Sequence, residues 1–178
     1  MNGGHSDFAR VYEQHVWPVY GFLAYRVGDR HVAEELTQET FERALRAWSR
    51  FDRRRSSERT WLLTIARNLL TDHHRRGRTR HTEVLDELNA PTVPGPEEKL
   101  DVGVELTGAL AHLGEREREI LALRYGADLP GSEVAELLGI SLANVHQIVS
   151  RSLRKLRELL EGQAGSALER PGGAKRRQ

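Results

Sequence analysis

The stretch that most constrains this 178-residue chain is a pair of short amphipathic runs joined by a tight turn, over residues 133–160. Val134, Ala135, Leu137 and Leu138 make the apolar face of a short helix. Gly139 suits the left-handed position that ends a helix, because it has no Cβ to clash there. Ser141 can cap the next helix by accepting from its first free amides. That helix carries Val145, Ile148, Val149, Ser152, Leu153, Leu156 and Leu160 at three–four spacing. Two helices crossing at so tight a turn need a small residue at the crossing, and Ala135 supplies it. The spacing is that of a helix-turn-helix. The alternative is an ordinary helical hairpin with a solvated polar face. Pro130-Gly131 stands where a Ser or Thr cap is expected, which leaves Asp128 for that job.

The polar face of the second helix presents Asn144, His146, Gln147, Ser150, Arg151, Arg154 and Lys155. Such side chains reach base edges and phosphates in a major groove. Charge is distributed to match. Residues 141–160 hold four basic groups against one acid, residues 50–59 five arginines against two acids, and residues 101–136 three arginines against eight acids. The whole chain is nearly balanced, at 27 Lys+Arg to 26 Asp+Glu. Its pI is about 8.2. Autonomous duplex-DNA binders usually exceed about 9, so a DNA-binding chain with this charge needs help from another protein.

Composition closes several routes. There is no cysteine, which removes disulfides, thiolate metal sites and thiol nucleophiles. No apolar run approaches the ~18 residues of a membrane span. Met1 to Asp7 lacks the charged and apolar regions of a secretory signal, so a cytoplasmic protein is expected. With only 6% aromatic residues, the chain suits small helical cores better than a β-sandwich.

The apolar pattern predicts an all-α protein of two small helical domains, 1–77 and 101–161, joined by a flexible linker at 78–100 and followed by a disordered tail at 162–178. Pro91, Pro94 and Pro96 mark the linker. Phe8, Val11, Tyr12, Val19, Tyr20 and Leu23 predict the first helix, with a kink or break at Pro18 near Trp17. Asp29 can cap a second helix with Val32, Leu36, Phe41, Ala44, Leu45 and Trp48 inward. Ser56 or Ser57 can cap a third, with Trp61, Leu62, Ile65, Ala66 and Leu69 inward. Short helices near 104–113 and 115–125 precede the helix-turn-helix.

These segments resemble the extracytoplasmic-function (ECF) class of bacterial RNA polymerase sigma factors, of sigma-70 type. The resemblance rests on Ala33-Glu34-Glu35-Leu36-Thr37-Gln38-Glu39-Thr40-Phe41, Trp61-Leu62-Leu63-Thr64-Ile65-Ala66-Arg67-Asn68, Asp72 and Arg75-Arg76. It continues through Glu115-Arg116-Glu117-Arg118-Glu119-Ile120-Leu121 and Glu133-Val134-Ala135-Glu136-Leu137-Leu138-Gly139-Ile140-Ser141. It covers about 6–77 and 104–160. It implies that the first domain binds core RNA polymerase and opens the minus-ten promoter element, while the second reads the minus-thirty-five element. It also implies an anti-sigma partner that holds a closed, inhibited form.

Residue chemistry agrees. Glu34, Gln38 and Glu42 are spaced by four, with Glu35 and Glu39 on the adjoining stripe. This ridge suits a basic partner. By resemblance that partner is the clamp helices of the largest polymerase subunit, with the flap as a further polymerase contact. Opening DNA needs a home for an unpaired base and cations for the strand. By resemblance Arg43, Asn68 and the loop Phe51, Arg53, Arg54 and Arg55 line that pocket. Trp61, Asp72 and Arg75 are further minus-ten candidates, and Trp61 is open to both a core and a stacking role. His146, Gln147 and Ile148 depart from the basic residue, Ser and Arg of many family members. That departure points to an altered minus-thirty-five preference.

The linker can reach. Its 23 residues extend to at most ~75 Å, against ~58 Å for 17 base pairs at 3.4 Å each. A coil of that length averages only ~26 Å, so polymerase must hold the domains apart. Two rival readings stand beside this one. Asp72-His73-His74 superficially resembles a metal-hydrolase signature, but adjacent helical residues point about 100° apart and do not converge on one ion. No catalytic residue, metal, cofactor or small-molecule substrate is therefore expected. A stand-alone helix-turn-helix regulator would bind duplex DNA without polymerase, usually as a dimer.

Overall fold

The computed structural model describes residues 3–83 and 104–168, with side-chain surroundings for 7–76, Leu106 and 108–161. Seven α-helices build the described part: α1 (Gly3–Val27), α2 (Arg30–Ala47), α3 (Glu58–Glu83), α4 (Val104–Ala111), α5 (Glu115–Leu121), α6 (Gly131–Leu138) and α7 (Leu142–Leu168). A 3-10 turn, Trp48–Arg50, follows α2, and a π turn, Ala122–Gly126, follows α5. The architecture is all-α.

Local signals set most of the boundaries. Asp29 accepts from the Val32 amide at 3.0 Å and caps α2. Ser57, not Ser56, caps α3 through the Thr60 amide at 3.1 Å. Gly139 ends α6 in the left-handed conformation, at φ 63°. Ser141 caps α7 through the Asn144 amide at 3.2 Å. Asp128 does not cap α6. Pro130 occupies that position without a side-chain bond, and Asp128 instead takes a positive φ of 53° in the preceding turn.

Three expectations about continuity change. α1 runs unbroken through Pro18. Proline removes one helical N–H, but Val11, Val19, Phe22 and Leu23 are fully buried on both sides of it and hold the helix together. α3 continues to Glu83, into the stretch read as linker. α7 continues to Leu168, into the stretch read as tail. Pro91, Pro94 and Pro96 and the residues beyond 168 lie outside the described residues.

The two halves pack directly. α1, α2 and α3 bury Phe22, Leu23, Leu62, Leu63 and Leu69 among themselves. The same continuous core takes in Ile120, Leu123, Leu129, Val134 and Val145 from the second half. A smaller core joins α4, α5 and α7 through Ala109, Leu110, Leu113, Leu121 and Leu156. α1 lies along the π turn so closely that backbone meets backbone at two glycines. A Cβ on Gly21 would stand 2.1 Å from the Gly126 carbonyl oxygen, and one on Gly126 would stand 2.6 Å from that of Gly21. Arginines close the seam. Arg26 bonds the Glu115 carboxylate, Arg59 the Ala127 carbonyl, and Arg67 the Glu119 carboxylate at 2.8–2.9 Å.

Candidate nucleic-acid interface

α7 presents its candidate duplex-reading residues to solvent. Asn144, His146, Gln147, Ser150, Arg151, Arg154 and Lys155 are all exposed, while Val145, Ser152 and Leu156 point inward. Among the described residues, Arg151, Arg154 and Arg157 have no side-chain partner. Lys155 bonds the His112 carbonyl at 2.6 Å and so ties α7 to the end of α4. Ile148 is half-buried against the core, as an apolar residue in the departing position should be. Leu153, read as inward, is 43% exposed.

The second candidate surface is the loop between α2 and α3. Aromatic rings from the loop and its flanking helices form one cluster, in which Trp48 and Trp61 also meet at 6.0 Å. Phe51 lies 5.2 Å from Trp48 at 18° and 4.7 Å from Trp61 at 31°, and Phe8 meets Trp48 edge-on at 5.4 Å. Each such pair is worth about 0.5–1.5 kcal/mol beyond its burial. Trp61 is thus half-buried and in tilted contact with two rings at once. Asn68, Asp72 and Arg75 continue from Trp61 along one face of α3 at spacings of seven, four and three. Asn68 is exposed, and Asp72 pairs with Arg75 at 3.2 Å. Arg67, one residue before Asn68, is drawn into the seam between the halves.

The loop's cations are not equivalent. Arg53 bonds Glu58 at 2.8 and 3.1 Å and Asp7 at 2.9 Å, and lies 5.7 Å from the Trp48 ring. Arg59 faces the second half. Among the described residues Arg50, Arg54 and Arg55 have no side-chain partner and are exposed. Asp52 shapes the turn, accepting from the Arg54 amide at 2.9 Å and, through its carbonyl, from the Arg55 amide at 3.0 Å.

The ridge on α2 is less acidic than its sequence reads. Glu34 pairs with Arg30 at 2.9 Å, Glu39 with Arg43 at 2.6 Å, and Glu42 with Arg46 at 3.3 Å. Gln38 donates to Glu42 at 3.0 Å. Glu35 is exposed and has no partner among the described residues. Arg43, a minus-ten candidate, is thereby joined to Glu39 of the polymerase set rather than to the loop. Glu34, Gln38 and Glu42 also line a cleft of about 610 Å³ between α1 and α2, together with Tyr12, Trp17, Phe41 and Leu45. Trp17 is 73% exposed, and Tyr12 and Leu45, both read as inward, are about half exposed. Residue type alone did not separate these rings from the core ones.

His73 and His74 meet edge-on with centroids 6.0 Å apart. Burial, and then Arg26, hold the His74 imidazole below its ordinary pKa. Burial does the same for His15. Among the described residues no group of three or more His, Asp or Glu is placed to hold a metal ion. None of the described helices is long and apolar enough to cross a membrane.

A helix-turn-helix half with a free cationic face, packed on a three-helix half with a basic, ring-lined loop, defines a two-part all-α protein of the helix-turn-helix class. The family comparison makes this specific. The Sigma-70 region 2 model matches residues 11–80, and the Sigma-70, region 4 model matches residues 109–158. The ECF RNA polymerase sigma factor SigM of Bacillus subtilis is 31% identical over 152 residues, 84% of this chain and 92% of SigM. The ECF RNA polymerase sigma factor BldN of Streptomyces coelicolor is 35% identical over 167 residues, 90% of this chain. The chain spans 63% of BldN's length. The chain belongs to the ECF RNA polymerase sigma factor family. A solved structure of the sigma factor RpoE with the anti-sigma factor NepR from Bartonella quintana shares the fold. It has a TM-score of 0.68 and 24% identity, covering 88% of this chain and 98% of that one.

Proposed function

We propose that the chain works in the cytoplasm as an alternative sigma factor, binding core RNA polymerase and directing promoter-specific initiation. α2 is the polymerase contact, through Glu34, Glu35, Gln38, Glu39 and Glu42, with the α1–α2 cleft beside them. α3 and the loop before it open the minus-ten element, and the outer face of α7 reads the minus-thirty-five element. The protein carries no chemistry of its own; polymerase supplies it. An anti-sigma factor is the natural partner for the packed arrangement of the two halves.

The observation that carries this reading is the pairing, in one chain and in this order, of a region 2 match and a region 4 match, with a free cationic face on α7. A stand-alone regulator accounts for α7 alone and leaves the first half without a role. The test is co-elution with bacterial core RNA polymerase, with Glu35→Lys plus Glu39→Lys as the control. Wild type is expected to co-elute. The control should lose more than about tenfold in affinity, because charges placed against a basic partner turn repulsive. Its thermal melting should fall only slightly, because the exposed Glu39–Arg43 pair it breaks is worth about 0.3–0.5 kcal/mol. Duplex-DNA binding without any binding to core would leave the stand-alone regulator.

A further inference from the structure

Glu58 opens α3 where an exposed first-turn residue would serve, yet its side chain is only 14% exposed. It accepts from Arg10 of α1 at 3.0 Å and from Arg53 of the loop at 2.8 and 3.1 Å, and lies 3.5 Å from the His15 ring. Asp7 closes the cluster, bonding Arg53 at 2.9 Å and Arg10 at 3.4 Å. Two carboxylates thus balance two guanidiniums at the meeting point of α1, loop and α3. Burial alone would raise the Glu58 pKa, but the bonds from Arg10 and Arg53 outweigh it and hold the group ionised.

We propose that Glu58 is a positioning residue for strand opening, acting through Arg53 to fix the loop that captures the unpaired base. The argument is geometric. Arg53 is anchored at its guanidinium by two carboxylates and lies against Trp48, so it holds the loop down on the ring cluster. Phe51 stands two residues before it, in contact with both Trp48 and Trp61. Arg54 and Arg55 follow directly, and the Asp52 turn leaves both exposed. The same clamp that occupies Arg53 therefore presents Arg54 and Arg55 to the strand. Arg53 is a positioning group here rather than a phosphate contact. This inference rests on the proposed opening of the minus-ten element by the first half.

The test is a double-mutant cycle in reconstituted holoenzyme, on a promoter with 2-aminopurine in the minus-ten element. Base unstacking is read as the rate of fluorescence rise. Glu58→Gln and Arg53→Gln should each slow the rise about tenfold, the size of one charge-assisted hydrogen bond. The double variant should be no slower than either single, because both break one device. Core binding should stay unchanged in all three. Arg53 is 56% exposed, so its variant keeps the test valid even if Glu58→Gln folds poorly. Additive losses would overturn the proposal and return Arg53 to direct strand contact. Unchanged opening in both singles would overturn it too. A wild-type holoenzyme that binds core but never unstacks the probe would instead overturn the strand-opening reading, and this one with it.

Discussion

The arginines of the first half and those of α7 are treated in opposite ways. In the first half Arg10, Arg26, Arg30, Arg43, Arg46, Arg53 and Arg67 all meet carboxylates. On α7, Arg151, Arg154 and Arg157 meet none among the described residues. A paired arginine fixes geometry, because its planar fork is already engaged. A free one keeps its full charge for phosphate and releases counterions when it finds it. The first half thus uses most of its cations to hold itself and its neighbour in place. α7 leaves its described arginines free and ties only Lys155 back to the fold. Arg59 and Arg76 bond backbone carbonyls instead, and Arg50, Arg54 and Arg55, without a side-chain partner among the described residues, lie close together between α2 and α3 beside the ring cluster.

The strongest way to break this contrast is to remove the free cations. Arg151→Ala with Arg154→Ala should weaken holoenzyme binding to the minus-thirty-five element roughly sixtyfold at 0.1 M salt, taking each lost phosphate contact as about a factor of eight there. The slope of log affinity against log salt should become shallower by about 1.8. Arg116→Ala is the matched control. Arg116 pairs with Glu119 at 3.0 Å, so its loss should leave the slope alone. A salt titration with equal slopes for both variants would erase the distinction between paired and free arginines.

A milder intervention acts on the seam that the paired arginines close. Gly21→Ala would drive a methyl into the Gly126 carbonyl oxygen, backbone that cannot rotate away. Alanine favours helix over glycine by about 1 kcal/mol, so α1 itself should not weaken. The strain must fall on the packing between the halves, and Arg26, Arg59 and Arg67 should lose their partners. Small-angle X-ray scattering should report a larger radius of gyration for Gly21→Ala than for wild type. An unchanged scattering curve would show that α1 and the π turn can slide apart locally without separating the halves.

These contrasts also mark what could be read from the sequence. The helix-turn-helix was legible because its signals are local: a left-handed glycine, a serine cap and an apolar stripe fall within about two turns of one another. The family resemblance added the order of the halves, which the region 2 and region 4 matches bear out. The seam was not legible. Arg59 and Ala127 are 68 positions apart, and Arg26 and Glu115 are 89 apart. No helical period encodes such a pairing. The charge runs misled in a related way. A run of arginines looks uniform in a sequence, yet Arg53 is clamped while Arg54 and Arg55 beside it are free. The carboxylate ridge likewise read as acidic until its arginines four residues away were seen to face it. Tyr12, Trp17 and Leu45 were invisible as surface groups, because an exposed aromatic or aliphatic residue carries the same hydrophobic signal as a buried one.

The smallest expected effect concerns protons at the same seam. His74 lies beside Arg26, Glu115, His73 and Arg118, and its pKa is lowered by burial and then by Arg26. A depressed histidine pKa means the packed form takes up a proton less readily than the opened or unfolded chain. Packing is therefore fully favoured above the ordinary histidine value of about 6.5 and weakens as pH falls below it. His15, lowered by burial, works in the same direction. Glu115 and Glu58 titrate separately. Burial raises both, but their arginine bonds outweigh it, so their contributions are lost only as pH falls through and below the ordinary carboxylate range of about 4. Between pH 7.5 and 5.5 the histidines dominate. Thermal melting of wild type should fall over that interval, and His74→Gln should flatten part of the fall. Parallel curves for the two proteins would place the proton sensitivity at His15, away from the seam.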